Sequence, residues 1–192
     1  MRILLTGFEP FGGRTTNASL ELLHNFVSKE YEIEKEVLPV VYNRSVYLRI
    51  FEKHQEVDLI VIMGEAGNRT KVSLEKVALN IMSAKIPDNS GLMMSGESIL
   101  ENEELAYASK FDLEGIVSNL RSPKLEVTYH AGTYVCNLVY YLGLNHVFQS
   151  KRNGFCQLIH FPYLDGSILS LEEALHLLHG ITHELVQSIK GN

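Results

Sequence analysis

The sequence predicts an α/β protein, a three-layer α/β/α sandwich around a mostly parallel, twisted sheet. Three observations carry that expectation. Short apolar runs of strand length alternate with amphipathic stretches of helix length along the 192 residues, the pattern of an open sheet covered on both faces. The clearest run, DLIVIMG (58–64), is apolar without alternation, as a strand buried on both faces requires. Glycines and chemically reactive side chains then follow the predicted strands, where open α/β sheets bind ligands.

Each element has its own justification. RILLTGF (2–8) is a short apolar run closed by glycine and reads as a buried strand. Asn17 is a helix cap, and Leu20, Leu23 and Val27 follow it at helical spacing. EKEVLPV (34–40) is a strand with Pro39 near its end. Asn43 precedes a second helix with Val46, Ile50 and His54 on one face. After DLIVIMG, the run VALNIMSAKI (77–86) is expected to be a strand, ended by PDNSG. Residues 112–121 form a helix striped by Leu113, Ile116, Val117 and Leu120. LEVTYH (125–130) and FCQLIHFPY (155–163) are strands separated by a helix that follows Cys136. The final helix opens with a capping box, Ser170 and Glu173. No repeat, low-complexity tract or linker interrupts the chain, so one domain over residues 1–192 is expected.

Composition narrows the function. A net charge of −6 gives no basic footprint for nucleic acid, and there is no polybasic segment for a membrane surface. No stretch approaches the roughly 18 apolar residues of a membrane helix, and no secretory signal is visible. A cytoplasmic location with Cys136 and Cys156 as free thiols is expected.

The stretch AGTYVCN (131–137) places Cys136 between a predicted strand and a predicted helix. A thiol at a helix N-terminus meets backbone N–H groups and the positive end of the dipole, which favour thiolate and an oxyanion alike. The competing reading is a core thiol, since free cysteine is among the most buried residue types. His160, at the end of its strand, is the natural base for Cys136. Cys156 shares a strand face with His160 but stands roughly 13 Å away at about 3.3 Å per residue, so it reads as core. Asp58, Glu75, Asp88 and Asp165 are the acids near predicted strand ends or loops, and the residues alone do not choose which one orients His160. TGFEPFGGR lacks the phosphate-loop and dinucleotide fingerprints, but brings Phe8 and Phe11 beside glycines in a loop, as pocket walls or as a plug for the sheet edge. His176, His179 and His183 recur in the last helix, without an H-E-x-x-H motif, and read as a polar or half-buried face rather than a metal site.

LLTGFEPFGG, GEAGNR, LEKVALNIMSAKIPDNSG, AGTYVCN and IHFPYL occur in this order. Together they resemble the pyroglutamyl-peptidase I family, the pyrrolidone-carboxylate peptidases, over residues 4–164. The resemblance implies a cytosolic cysteine peptidase of α/β/α fold that removes an N-terminal pyroglutamyl residue and assembles as a homotetramer or dimer. Carried over by motif, it implies Cys136 as nucleophile, His160 as base and Glu75 as orienting acid. It also implies Phe8 and Phe11 around the lactam ring, with Asn17 and the backbone at Glu65 completing the pocket. Glu65 stands where glutamine is frequent, Asn68 where glycine is expected and Lys85 where arginine is usual, and the segment after His160 is short for the family. These departures bear on substrate affinity and assembly rather than on the reaction. Pyroglutamyl peptides are the expected partners, and no metal or organic cofactor is expected. Two other readings are a non-catalytic pyroglutamyl-peptide binding protein of the same fold, and a metal- or phosphate-dependent hydrolase.

Overall fold

The structure, a computed structural model, describes residues 1–150 and 154–191. Along the chain run β1 (Arg2–Phe8), α1 (Ala18–Asn25), β2 (Glu32–Leu38), α2 (Arg44–Lys53), β3 (Leu59–Glu65) and β4 (Val72–Glu75). Four short strands follow: β5 (Val77–Leu79), β6 (Met82–Ser83), β7 (Ser95–Glu97) and β8 (Ala106–Ala108). The chain closes with α3 (Leu113–Leu120), β9 (Leu125–Thr128), α4 (Val135–Gln149), β10 (Phe155–Phe161) and α5 (Leu171–Lys190).

The central sheet has the order β2-β1-β3-β10-β4-β9. Its first four strands are parallel, and β4 and β9 are parallel to each other but antiparallel to the rest. Both faces are covered, and alternation along each strand sorts its side chains. Leu59, Val61 and Met63 of β3, with Phe155, Ile159 and Phe161 of β10, pack against α1, α3 and α5. Ile60 and Ile62, with Cys156 and Leu158, pack against α2 and α4. The period of two then places His160 on the α4 side, with Cys156 and Leu158. The same parity applies in β4: Val72 and Leu74 face the α1–α3–α5 layer, which turns Glu75 towards α4. Three elements therefore deliver the cysteine, the histidine and the glutamate to one side of the sheet.

The α/β/α sandwich and its mostly parallel sheet match the expectation; several local details do not. The run 77–86 is no strand of the sheet. It splits into β5 and β6, each paired in a two-stranded ribbon with β8 and β7. The sheet strand is the preceding VSLE of β4, which is four residues long and too short to announce itself by pattern. The Asn137 side chain holds the chain just past β5, accepting from Leu79 N–H at 2.9 Å and donating to the carbonyls of Leu79 and Ile81. In α1 the buried residues include Leu22 and Leu23, and the C-cap Phe26 is buried with them. Leu20 is only partly buried, and Val27 lies beyond the cap and is exposed. In α2 the buried stripe is Tyr47, Phe51 and His54 rather than one through Val46 and Ile50. The Tyr47 hydroxyl sits between the carbonyls of Pro39 and Val41, at 2.8 and 2.7 Å, and its one proton is shared between them, fixing that rotation. Among the described residues no helix is long and apolar enough to cross a membrane.

Helix α4 approaches the sheet closely at Gly143. A Cβ there would meet Cys156 Sγ at 2.8 Å and the Ile62 side chain at 3.4 Å. On an open helix surface Gly→Ala stabilises by roughly 1 kcal/mol; at this contact it overpacks the core. Gly143→Ala is expected to destabilise by about 1–3 kcal/mol in urea denaturation, and to become near neutral when combined with Cys156→Ala. Equal effects in both backgrounds would contradict this packing.

Candidate active site

Cys136 is the second residue of α4, whose N-cap is Tyr134. The helical hydrogen bonds begin with Asn137 and Leu138, both donating to Tyr134 O, so the amides of Val135 and Cys136 precede the ladder and present N–H groups at the helix start. The local fold that the sequence suggested for AGTYVCN is therefore present. Its electrostatic consequence is the reverse of the expected one. Burial pushes the Cys136 thiol up to about 12, and Glu75 adds to this; the residue's own amide and Arg69 pull the other way without prevailing. Cys136 is only partly exposed, and desolvation outweighs the helix terminus, so the resting thiol keeps its proton.

His160 is buried near the end of β10. It faces Ser73 of the antiparallel β4, which makes Glu75 its diagonal cross-strand neighbour. His160 Nδ1 lies 2.6 Å from Glu75 Oε1. That contact assigns the proton to Nδ1 and leaves the Nε2 lone pair free to accept. The Glu75 carboxylate is fully buried and held from several sides. Arg69 Nη1 pairs with Oε1 at 2.6 Å and donates to Thr128 Oγ1 at 3.2 Å. The Thr128 hydroxyl donates to Oε2. The backbone carbonyl of Glu75 accepts from the Tyr140 hydroxyl at 2.8 Å and from Gln157 Nε2 at 2.9 Å. Burial alone would raise the Glu75 carboxyl, but the His160, Thr128 and Arg69 contacts outweigh it and hold the group below the usual carboxylate range.

Gly64 makes room for the pair. A Cβ at this position would lie 3.0 Å from His160 Nε2 and 3.1 Å from Cys136 Sγ. The imidazole nitrogen and the sulfur thus converge on the space above one glycine, with nothing larger than hydrogen beneath them.

Beside this pair opens a cavity of about 300 Å³ with walls that include Phe8, Phe11, Val40 and Tyr134, and with Cys136 and His160 on its lining. Phe8 is buried and forms an inner wall. Phe11 faces Tyr134 with ring centroids 5.8 Å apart. Asn17 and Glu65 also line the cavity, but their polar atoms are engaged elsewhere. Asn17 Oδ1 accepts from Ser19 N–H at 2.9 Å as the α1 cap, and its Nδ2 donates to Glu9 O at 3.1 Å. Glu65 Oε2 accepts from Ala18 N–H at 2.8 Å, and Oε1 pairs with Arg14 Nε at 3.3 Å. Burial nonetheless raises the Glu65 carboxyl, with the Ala18 amide and Arg14 opposing. Asn68 is exposed on the cavity wall, whereas Lys85 is exposed elsewhere.

Among the four acids left open by the residues, only Glu75 bonds to His160. Asp58 accepts from Arg2 N–H, Asp88 from Tyr42 N–H and Asp165 from Ser167 N–H, each organising a loop or strand start. The histidines of α5 lie on a different surface. His179 stacks on Phe26 with centroids 4.3 Å apart, and His183 Nδ1 contacts the Tyr31 hydroxyl at 3.1 Å. The expectation that every reactive residue follows a strand onto one shared edge needs correction. Strands β4 and β9 run against β1, β3 and β10, so their carboxyl ends point the other way. Glu75 reaches His160 laterally across the strand pair.

Arg69, Thr128, Tyr134 and Asn137 were not singled out by sequence reasoning. Arg69 had a usable signal: an acid buried deep enough to orient a histidine needs a cation or several donors, and Arg69 lies six residues before Glu75. Thr128 became visible only with the β4–β9 pairing, and Tyr134 and Asn137 only with the turn into α4.

The two thiols give a direct check. Absorbance of thiolate should show no step between about pH 6 and 9, where an ordinary cysteine titrates near 8.5. A step of one thiolate in that range, or thiolate absorbance already present at pH 6, in either case abolished by Cys136→Ser, would contradict the raised thiol.

The family model for pyroglutamyl peptidases matches residues 1–177. The chain is 35% identical over 201 residues to the pyrrolidone-carboxylate peptidase of Thermosipho africanus, covering 100% of this chain and 96% of that protein. It is 38% identical over 176 residues to pyrrolidone-carboxylate peptidase 2 of Caldanaerobacter subterraneus, covering 88% and 85%. Its fold is similar to the crystal structure of pyroglutamyl peptidase I from Bacillus amyloliquefaciens, with a TM-score of 0.84, 31% identity and 95% of each chain covered. A mutant pyrrolidone carboxyl peptidase from Pyrococcus furiosus gives a TM-score of 0.89 at 27% identity, over 98% of this chain and 100% of that one. Fold, thiol–imidazole–carboxylate geometry and sequence thus agree, and the chain belongs to the pyroglutamyl peptidase family of cysteine peptidases.

Proposed function

We propose that this enzyme removes the N-terminal pyroglutamyl residue from peptides, with Cys136 as nucleophile, His160 as general base and acid, and Glu75 as the carboxylate that orients His160. The observation that carries the reading is the 2.6 Å contact between His160 Nδ1 and Glu75 Oε1, which aims the free Nε2 at the space it shares with Cys136 Sγ.

The small aromatic cavity supports the substrate class. A pyroglutamyl residue is an uncharged lactam with two apolar ring faces and one amide edge. Phe8, Phe11 and Tyr134 offer apolar and aromatic surface to the ring, and backbone groups at the strand ends suit the amide edge. A site built to pair the lactam N–H and C=O discriminates against proline, which lacks the ring carbonyl and would leave those groups unpaired.

Apart from one water molecule, groups of the chain supply the whole sequence of steps. His160 Nε2 accepts the Cys136 proton as Sγ attacks the pyroglutamyl carbonyl carbon. Burial keeps the resting thiol protonated, so attack requires transfer of that proton to His160 Nε2. The oxyanion faces the Val135 and Cys136 amides at the start of α4. The imidazolium, steadied by Glu75, returns the proton to the departing amine as the C–N bond breaks, leaving a thioester on Cys136. Water, deprotonated by His160, then cleaves the thioester, releasing 5-oxoproline and restoring the thiol. In this reading the enzyme is cytoplasmic and a homo-oligomer, tetramer or dimer.

The test is hydrolysis of a fluorogenic L-pyroglutamyl amide. Cys136→Ala should abolish turnover, and His160→Ala and Glu75→Gln should lower kcat by about 10²- to 10⁴-fold. Gly64→Ala should lower it by at least about 10²-fold by displacing the reacting pair, while Cys156→Ser remains active. Turnover surviving in Cys136→Ala would overturn the mechanism, and pyroglutamyl-peptide binding without hydrolysis by the unmodified protein would favour a binding protein instead.

A further inference from the structure

Arg14 lies outside the reacting groups but ties together three loops around the cavity. Its Nε pairs with Glu65 Oε1 at 3.3 Å, at the end of β3. Its guanidinium carbon lies 3.9 Å from the centroid of the Tyr163 ring, in the segment after β10. The same ring also rests on Gly67, where a Cβ would come within 2.0 Å of Tyr163 Cζ. Gly67, Tyr163, Arg14 and Glu65 thus form a continuous chain of contacts joining the β1–α1, β3–β4 and β10–α5 connections.

What this chain of contacts holds is the loop that carries Phe11. Arg14 N–H donates to Phe11 O at 3.2 Å, closing a turn through Gly12 and Gly13. Both glycines have positive φ, +63° and +77°, with no atom within 4 Å of where a Cβ would sit. Such a turn is permissive and unpacked, and it does not by itself fix the position of Phe11. Arg14 supplies the missing anchor. Its partner carboxylate is almost fully buried, the Glu65 side chain being 2% exposed, and Glu65 is itself pinned by the Ala18 amide. An anchor attached to the start of α1 and to the end of β3 sets where Phe11 meets Tyr134.

We propose that Arg14 is a positioning residue for substrate specificity: by locking the Phe11 turn onto Glu65 and Tyr163, it holds the Phe11 ring as the outer wall of the lactam pocket. It touches no reacting atom, so its contribution falls on substrate capture rather than on bond breaking. The inference rests on the proposed pyroglutamyl-peptidase activity.

A double-mutant cycle tests it, with the fluorogenic L-pyroglutamyl amide as the probe. Arg14→Ala should raise KM by about tenfold, the scale of losing one stacked and ion-paired guanidinium, and change kcat by less than about twofold. In a Phe11→Ala background the same substitution should change KM by less than about twofold, because the wall it positions is already gone. Arg14→Gln, which keeps a stem along Tyr163 but removes the charge, should fall between Arg14→Ala and the unmodified enzyme. Equal KM effects of Arg14→Ala with and without Phe11, an unchanged KM, or a loss confined to kcat would each overturn the proposal. An unmodified protein that turns over no pyroglutamyl amide would instead overturn the functional reading on which it rests.

Discussion

The buried Glu75 carboxylate is the constraint around which the site is arranged. A carboxylate with no exposure to water is tolerated only when its charge is paired and its lone pairs are satisfied. Here His160, Arg69 and Thr128 do so together. Removing one partner of such a buried ionic group typically costs about 3–5 kcal/mol, because the remaining charge is left uncompensated. The network therefore fixes the positions of its members, and through them the direction of the His160 ring. It also joins β4, β9 and β10 at the point where the sheet changes from parallel to antiparallel.

That change of direction has a functional consequence. In a wholly parallel sheet, an acid at the carboxyl end of a strand would sit at the open edge beside solvent. Because β4 runs against β10, Glu75 lies beneath the histidine instead, screened from water. Cys136 then comes from the helix layer that covers this same face of the sheet, on the first turn of α4. The carboxylate sits below, the imidazole in the middle and the thiol above, next to the cavity. Burial gives this arrangement its chemical character. It keeps the Cys136 thiol protonated at rest; in the proposed mechanism reactivity then depends on a base already aimed at it, an orientation that the Glu75 contact supports.

Much of this was legible in the sequence, and the limits have physical causes. The long apolar strands β1, β3 and β10 and the caps at Asn17 and Ser170 are local features, and local pattern located them. Cys136 and His160 were identifiable as reactive types flanking predicted elements. The choice of Glu75 among four acids was not, because cross-strand pairing decides it, and only resemblance to a family supplied it. Strand β4 was missed because four residues show no periodicity, while the more β-rich 77–86 drew the assignment. The elevated thiol pKa was also invisible, since desolvation is set by tertiary packing and a helix-terminus argument sees only the local dipole.

In the proposed site Glu75 holds His160 with its proton on Nδ1 and its lone pair towards Cys136. Nitrogen-detected NMR of the imidazole, comparing the unmodified protein with Glu75→Gln, measures this most directly. The predicted result is a His160 ring protonated at Nδ1, with a strongly downfield, solvent-protected Nδ1 proton that is lost in Glu75→Gln. A resting His160 protonated only at Nε2, or an Nδ1 proton signal unaffected by Glu75→Gln, would contradict this arrangement of the site.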